Sequence, residues 1–491
     1  MILKPTRRGV AVAAALGALA LVLPESAHAA PQGASALKWG ACPKSSDAPR
    51  GTYCSTLKVP LDYAKPDGRQ ITLTLSIAGA VNAERTLVVN PGGPGESGIS
   101  LAKTVWSSLP QNLSEKYNVV SFDPRGVGAS TPVSCGDTSG LINHPASPYT
   151  PANAQQELKR RDVASKIAQQ CQGKSGALLP YITTENAARD MDAIRAGLGR
   201  TKLDYLGYSY GTKLGATYAT LFPQSTGRMI LDSVVDPTVT TYATQFQQNP
   251  ALQKRAEQFF TWVAKYDSSY HMGATEAKVS AAWEAAREKL DAHPAGGRVG
   301  SAELDDLLAS AMYTNVEWGS AADMVAKYQA GDTSALLAAA DQLASGGGVN
   351  AAQLAYNCVD DAWPQDWNTW HKDTVASAAK APLFAWLNTW YSAPCAYWKT
   401  APVKPVKIGS SNVPPVLLLQ AADDAATPLV GAQQMHKVMT GSRLVVSDGG
   451  NHGQYLFDGN SCMDAQGNSY LLTGKLPAKD TTCKGVAAPT P

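Results

Sequence analysis

The chain has 491 residues, too many for one ordinary hydrophobic core, and its 44% hydrophobic content is that of a globular protein. Forty-two basic residues stand against forty acidic ones, a formal charge of +2, and no run of like charge stands out. That balance argues against nucleic acid or an anionic membrane surface as a partner.

The N-terminus carries Lys4, Arg7 and Arg8, an uncharged apolar run from Gly9 to Leu23, Pro24, and the small-residue site Ala27-His28-Ala29. This is the pattern of a secretory signal peptide over 1–29, cut after Ala29. A membrane anchor fits less well, because fifteen helical residues span only about 22 Å of a hydrocarbon core roughly 30 Å thick. No later stretch is apolar for long enough, so the mature chain is expected to be exported, extracellular and off the membrane. Eight cysteines in such a chain suggest four disulfides, and nearest-neighbour pairing gives Cys42–Cys54, Cys135–Cys171, Cys358–Cys395 and Cys462–Cys483. Neither Cys-x-x-Cys nor His-Glu-x-x-His occurs, so no metal and no cofactor are expected.

Thr56–Pro60 and Ile71–Ile77 alternate with period two, as antiparallel strands with one wet face do. Thr86–Asn90 is a continuous apolar run that enters Pro91-Gly-Gly-Pro-Gly95, and Tyr117–Phe122 is a second buried strand. So glycine-rich a loop lets backbone N–H groups approach a ligand closely, although a plain tight turn would read the same way. Helices are predicted over Ser97–Leu109 and over Thr183–Leu198, the latter with Met191, Ile194 and Leu198 in one stripe.

Next comes Leu203-Asp-Tyr-Leu-Gly-Tyr-Ser209-Tyr-Gly-Thr212: a strand to Tyr208, one serine, and a helix from about Gly211 to Phe222. A Gly-x-Ser-x-Gly sequence in strand–turn–helix context is a nucleophile elbow. The turn is so tight that side chains at positions 207 and 211 would collide, and the helix directs its N-terminal N–H groups toward the serine oxygen. One more strand, Met229–Val235, follows, and the alternation argues for a mostly parallel sheet covered on both faces.

Between about 239 and 412 the pattern turns helical and alanine-rich, with helices predicted at Pro250–Tyr266, Thr275–Leu290, Ser301–Met312 and Thr333–Leu343, and Asn249 and Ser301 as caps. Nine of the eleven tryptophans lie here, and Trp363, Trp367 and Trp370 could pack helices or wall a pocket. Strands return at Val416–Gln420 and Arg443–Ser447, separated by a helix near Gly431–Met439. Asp423 and Asp424 follow the first strand, and Gly449-Gly-Asn-His452-Gly453 the second. The division expected is signal 1–29, sheet domain 30–238, helical cap 239–412, and the remainder of the sheet domain 413–491.

A serine hydroxyl needs a base, and a histidine base needs a carboxylate to fix its tautomer. Ser209, an aspartate at 423 or 424, and His452 stand in the chain order of α/β-hydrolases, each after a strand. His28 leaves with the signal, His144 and His293 precede prolines, His271 and His371 belong to the cap, and His436 lies on a helix.

Taken together, Asn90-Pro-Gly-Gly-Pro-Gly95, Asp123-Pro-Arg-Gly-Val-Gly-Ala-Ser130, Asp190-Met-Asp-Ala-Ile-Arg195, Gly207-Tyr-Ser-Tyr-Gly211, Asp424-Ala-Ala-Thr-Pro428 and Gly450-Asn-His-Gly453 make the chain resemble the secreted tripeptidyl aminopeptidases of actinobacteria. Those are α/β-hydrolases related to prolyl iminopeptidases, with a characteristic C-terminal region. The resemblance spans nearly the whole mature chain. It implies Asp424 as the triad acid, three residues before Thr-Pro, and the backbone N–H groups of Gly93 and Tyr210 as the oxyanion hole. Asn90 departs from the histidine of prolyl iminopeptidases and speaks against single-proline release; Asp423 is an additional acid without an evident role.

An exopeptidase must also hold a free α-amino group, and Asp360 and Asp361, beside the tryptophan cluster, are the candidates, although either could equally be a solvated or capping residue. The expectation is therefore a secreted, monomeric serine exopeptidase acting on peptides or proteins with free N-termini. The alternatives are an esterase or lipase with the same triad, and a non-catalytic binding protein of the same fold.

Overall fold

The computed structural model describes residues 37–43, 46, 48–345, 349–409 and 412–491. The expected signal segment lies outside the described residues. A nine-stranded sheet organises the chain: β1 (Tyr53–Pro60), β2 (Gln70–Ala78), β3 (Arg85–Asn90), β4 (Tyr117–Phe122), β5 (Leu203–Tyr208), β6 (Thr226–Asp232), β7 (Leu417–Ala421), β8 (Arg443–Ser447) and β9 (Thr481–Cys483). Their spatial order is β1-β2-β4-β3-β5-β6-β7-β8-β9. β2 is antiparallel to both β1 and β4, and every neighbouring pair after that is parallel. The burial follows from this: β1, at the edge, alternates between buried and exposed, whereas β4 and β5 are buried along their whole length, as parallel strands between helical layers must be. This is the α/β-hydrolase fold.

Because the strands from β4 to β9 run the same way, their C-terminal ends share one edge. Asn90 pairs with Gly207, Tyr208 with Asp232, and Asp232 with Leu419. Ligands to such sheets bind at that edge, where the loops diverge. Behind it, Arg125 and Asp190, both fully buried, form an ion pair at 2.6 Å, and the guanidinium also donates to the carbonyls of Leu61, Tyr181 and Pro60. The pair clamps the loop after β4 to the helix Thr184–Gly197.

Three local features differ from the sequence reading. β6 ends at Asp232 rather than Val235, because Ser233 takes φ 57 and turns the chain out of the sheet. The helix expected to begin at Pro250 runs from Thr241 to Lys265 straight through that proline, with Thr240 as its cap. Asn249 is no cap: it is buried, donating to Ser377 Oγ and accepting from Asn388 Nδ2. Ser301 is the first helical residue, not the cap; Gly300 takes that place, its N–H held by Glu303 Oε2 at 2.8 Å.

Two cores divide the helical region. Phe259, Phe260, Trp262, Trp283 and Trp318 gather in one that is built mainly by the helices between Thr241 and Ser345, with Phe384 and Ala425 added. Trp363, Trp367 and Trp370 belong instead to the cluster under the sheet, where Trp370 stacks between the other two at 5.5 and 5.6 Å. Their indole N–H groups donate to Asn357 O, Glu157 Oε1 and Pro364 O, so these rings are packing, not pocket wall. The cysteines are joined as Cys42–Cys54, Cys135–Cys171, Cys358–Cys395 and Cys462–Cys483. Among the described residues no helix is long and apolar enough to cross a membrane.

Candidate active site

Ser209 stands between β5 and the helix Tyr210–Leu221 with φ 55 and ψ −125, a strained conformation for a residue bearing a side chain. Its own N–H donates to Asp232 O at 2.9 Å, which fixes the turn against β6. The flanking glycines are steric necessities: a Cβ at Gly207 would strike the Gly211 carbonyl, and one at Gly211 would lie 3.0 Å from Asn90 O. The loop after β3 lies directly on the elbow. A Cβ at Gly92 would come within 2.6 Å of Tyr208 O and 2.9 Å of Ser209 Cβ, and both Gly92 and Gly93 have φ above 100°. Gly93 and Tyr210 thus border the same cavity as Ser209.

Asp424, in the loop after β7, is 1% exposed. Its oxygens lie 3.0 and 2.9 Å from His452 Nδ1, and they accept from Ala426 N, Thr427 N and Thr427 Oγ1 at 2.9 to 3.0 Å. Asp423 turns the other way, accepting from Lys254 Nζ at 2.5 Å and Gln258 Nε2 at 2.7 Å. The second acid therefore ties the strand end to the helix Thr241–Lys265. The His452 ring meets Tyr313 edge-on at 5.3 Å, and the His452 backbone N–H donates to Tyr313 O. Burial pulls the His452 pKa down, but the charge and hydrogen bond of Asp424, helped by the charge of Asp232, outweigh it and leave the pKa raised. Ser209 Oγ donates to no acceptor among the described residues; such bonds commonly tighten only when substrate binds.

Asp232 was not singled out in the sequence, although it too ends a buried parallel strand. It is fully buried and accepts from Gln454 N, Tyr455 N and Ser233 Oγ, while Ser233 Oγ accepts from Gly453 N at 2.8 Å. The loop that carries His452 is anchored there. Burial pushes the Asp232 carboxyl up to about 7.

The two aspartates considered as amino-group anchors, Asp360 and Asp361, lie outside the lining of the cavity above Ser209. Asp360 is 5% exposed and accepts from Thr184 N at 2.7 Å, where it helps cap the helix Thr184–Gly197. Asp361, 4% exposed, accepts from Thr241 N at 3.0 Å. Both also pair with the half-buried Lys213, at 3.7 and 3.4 Å, and neither lines the cavity above Ser209. They share a single cation, which lies roughly 150 positions away in the chain, so the group of three keeps one negative charge.

That cavity is about 340 Å³ and is roofed by residues of four helices, Thr241–Lys265, Ser301–Ala311, Ala351–Asp360 and Ala385–Ser392. Among the described residues no three His, Cys, Asp or Glu side chains group as metal ligands.

The family profile described as "TAP-like protein" matches residues 381–483. "Serine protease Hip1" of Mycobacterium tuberculosis is 31% identical over 96% of this chain and 96% of its own. "Carboxylesterase B" of the same organism is 29% identical over 88% of this chain and 86% of its own. "Tripeptidyl aminopeptidase" of Streptomyces lividans covers 99% of this chain with 90% of its own length. At 39% identity over that span, the likeness reaches past the shared fold: the chain belongs to the tripeptidyl aminopeptidase family of α/β-hydrolases and is a serine peptidase.

Proposed function

We propose that this chain is an exported exopeptidase that releases tripeptides from free N-termini through an acyl-enzyme on Ser209. The observation that supports it most is the Asp424–His452 pair, 2.9 Å apart on loops next to the strained Ser209 turn, under a roof of cap helices. His452 Nδ1–H is held by Asp424, which leaves Nε2 to take the Ser209 proton as Oγ attacks the scissile carbonyl. The Gly93 and Tyr210 N–H groups receive the developing oxyanion, and protonated His452 returns its proton to the leaving amine. Water, deprotonated by the same histidine, then frees the peptide. The roof limits how much chain fits above Ser209, which suits an enzyme that counts from an end. Export is in keeping with the N-terminal apolar run and the four disulfides.

An esterase is the second reading, favoured by the carboxylesterase among the relatives. Hydrolysis of a tripeptide anilide, of its N-acetyl form and of the single-residue anilide separates the two. Cleavage of the free-amino tripeptide alone supports the exopeptidase; equal cleavage of the blocked form, or of simple esters only, would replace it.

A further inference from the structure

The acidic and basic side chains lining the Ser209 cavity are Lys213, Asp236 and Asp306. Lys213 is already paired with two carboxylates, Asp360 and Asp361, beyond the cavity lining. Asp236 is satisfied by its own surroundings, accepting from Thr238 N, Thr238 Oγ1 and Gln247 Nε2 at 2.6 to 3.1 Å. Asp306 differs: one oxygen accepts from Tyr149 Oη at 2.7 Å, and among the described residues Arg160 and His144 act on it only through longer-range charge, with no cation in ion-pair contact. A carboxylate facing the cavity with one oxygen unused is a ready acceptor for a cationic group of a ligand. A second, independent vacancy lines the same cavity. Gln245, 5% exposed, has neither its amide N–H2 nor its carbonyl oxygen hydrogen-bonded among the described residues. An unmet donor and acceptor on one side chain match the paired N–H and C=O of a peptide backbone.

Asp306 and Tyr313 both line the cavity, and Tyr313 touches His452. The helix Ser301–Ala311 carries Asp306 and ends two residues before Tyr313, so one wall of the cavity leads from Asp306 to the residue that meets the catalytic histidine.

Resting on the exopeptidase reading above, we propose that Asp306 binds the α-ammonium of the substrate's first residue and that Gln245 pairs with the backbone between that residue and the scissile bond. Asp306 would thereby set how many residues are released.

The test uses Ser209→Ala, which cannot turn substrate over, and calorimetric binding of the tetrapeptide Ala-Ala-Pro-Ala and its N-acetyl form. The free peptide should bind at least about tenfold more tightly, in line with a charge-assisted hydrogen bond in a buried site. Adding Asp306→Asn should abolish that difference, and adding Gln245→Leu should weaken both peptides alike. If Ser209→Ala itself fails to distinguish the two peptides, the exopeptidase reading falls. If it distinguishes them and Asp306→Asn distinguishes them equally well, the reading stands and the anchor is overturned. Unchanged affinity in Gln245→Leu removes Gln245 from the site.

A pH series on Ser209→Ala covers the case in which Asp306→Asn does not fold. Burial raises the Asp306 carboxyl to about 6, with Tyr149, Glu303, Arg160, His144, Asp305 and Tyr391 facing it. The preference for the free peptide should therefore fade as pH drops through about 6, whereas titration of His452 acts on both peptides. A preference constant across that range overturns the anchor.

Discussion

Replacing Asp424 by asparagine tests how the site makes a base. The carboxylate accepts a hydrogen bond from His452 Nδ1–H at 2.9 Å on one oxygen, and on the other from the N–H groups of Ala426 and Thr427 at 2.9 Å each. An asparagine can keep the backbone bonds with its carbonyl, so the loop should survive. Its NH2 then faces His452 Nδ1 and favours the tautomer protonated on Nε2. That tautomer cannot accept the Ser209 proton. The loss should reach roughly 10³ to 10⁴ in kcat, or about 4 to 5 kcal/mol of transition-state stabilisation. The pH profile gives a second readout. Catalysis needs neutral His452, whose pKa is raised in the wild type, so activity should fall as pH drops through a value above the ordinary histidine figure of about 6.5. Without Asp424, burial dominates and the acid limb should move to lower pH. The assay is kcat for the free tripeptide anilide, with circular dichroism to verify folding. A kcat within tenfold of wild type, or an acid limb that does not move, would refute the assignment of Asp424.

Asp232 has a folded-state pKa of about 7 against about 3.8 unfolded, so its contribution to stability is complete below the lower value and is lost as pH rises through the higher one. Asp232→Asn should flatten the fall of stability between about pH 4 and 7, by up to roughly 4 kcal/mol, in urea titrations at several pH values; an unchanged slope would contradict it. Gly92→Ala introduces a Cβ within 2.6 Å of Tyr208 O at a φ of 104°. It should lower kcat more than it raises KM, because the loop beside Ser209 must shift; wild-type kcat would remove that loop from catalysis. Asp190→Asn leaves the buried Arg125 guanidinium without its counter-charge and should cost about 3 to 5 kcal/mol in urea unfolding. A cost under about 1 kcal/mol would mean the carbonyls around Arg125 suffice.

Elements were legible where burial alone shaped them. β3, β4, β5, β7 and β8 are apolar because helices cover both faces, and the elbow is legible because sterics admit only glycine at 207 and 211. Ser209 and His452 follow from their positions after such strands. β9 was missed: Thr481–Cys483 is short and mostly polar, and it pairs at the sheet edge beside a disulfide. Pro250 reads as a helix start by local rule, yet packing carries the helix through it. The surroundings of Asp360 and Asp361 were not legible, since local sequence cannot reveal that Lys213 reaches them. Asp232, Asp306 and Gln245 are ordinary residues in sequence. Their importance lies in partners held, or lacking, after distant segments have packed.

The most direct measurement is the mass spectrum of products from a ten-residue peptide with a free N-terminus, incubated with the wild type and with Ser209→Ala. The wild type should release tripeptides successively from the N-terminus, leaving a seven-residue and then a four-residue remainder, while Ser209→Ala leaves the peptide intact and N-acetylation protects it. Internal fragments, or equal digestion of the acetylated peptide, would contradict an enzyme that counts from a free end.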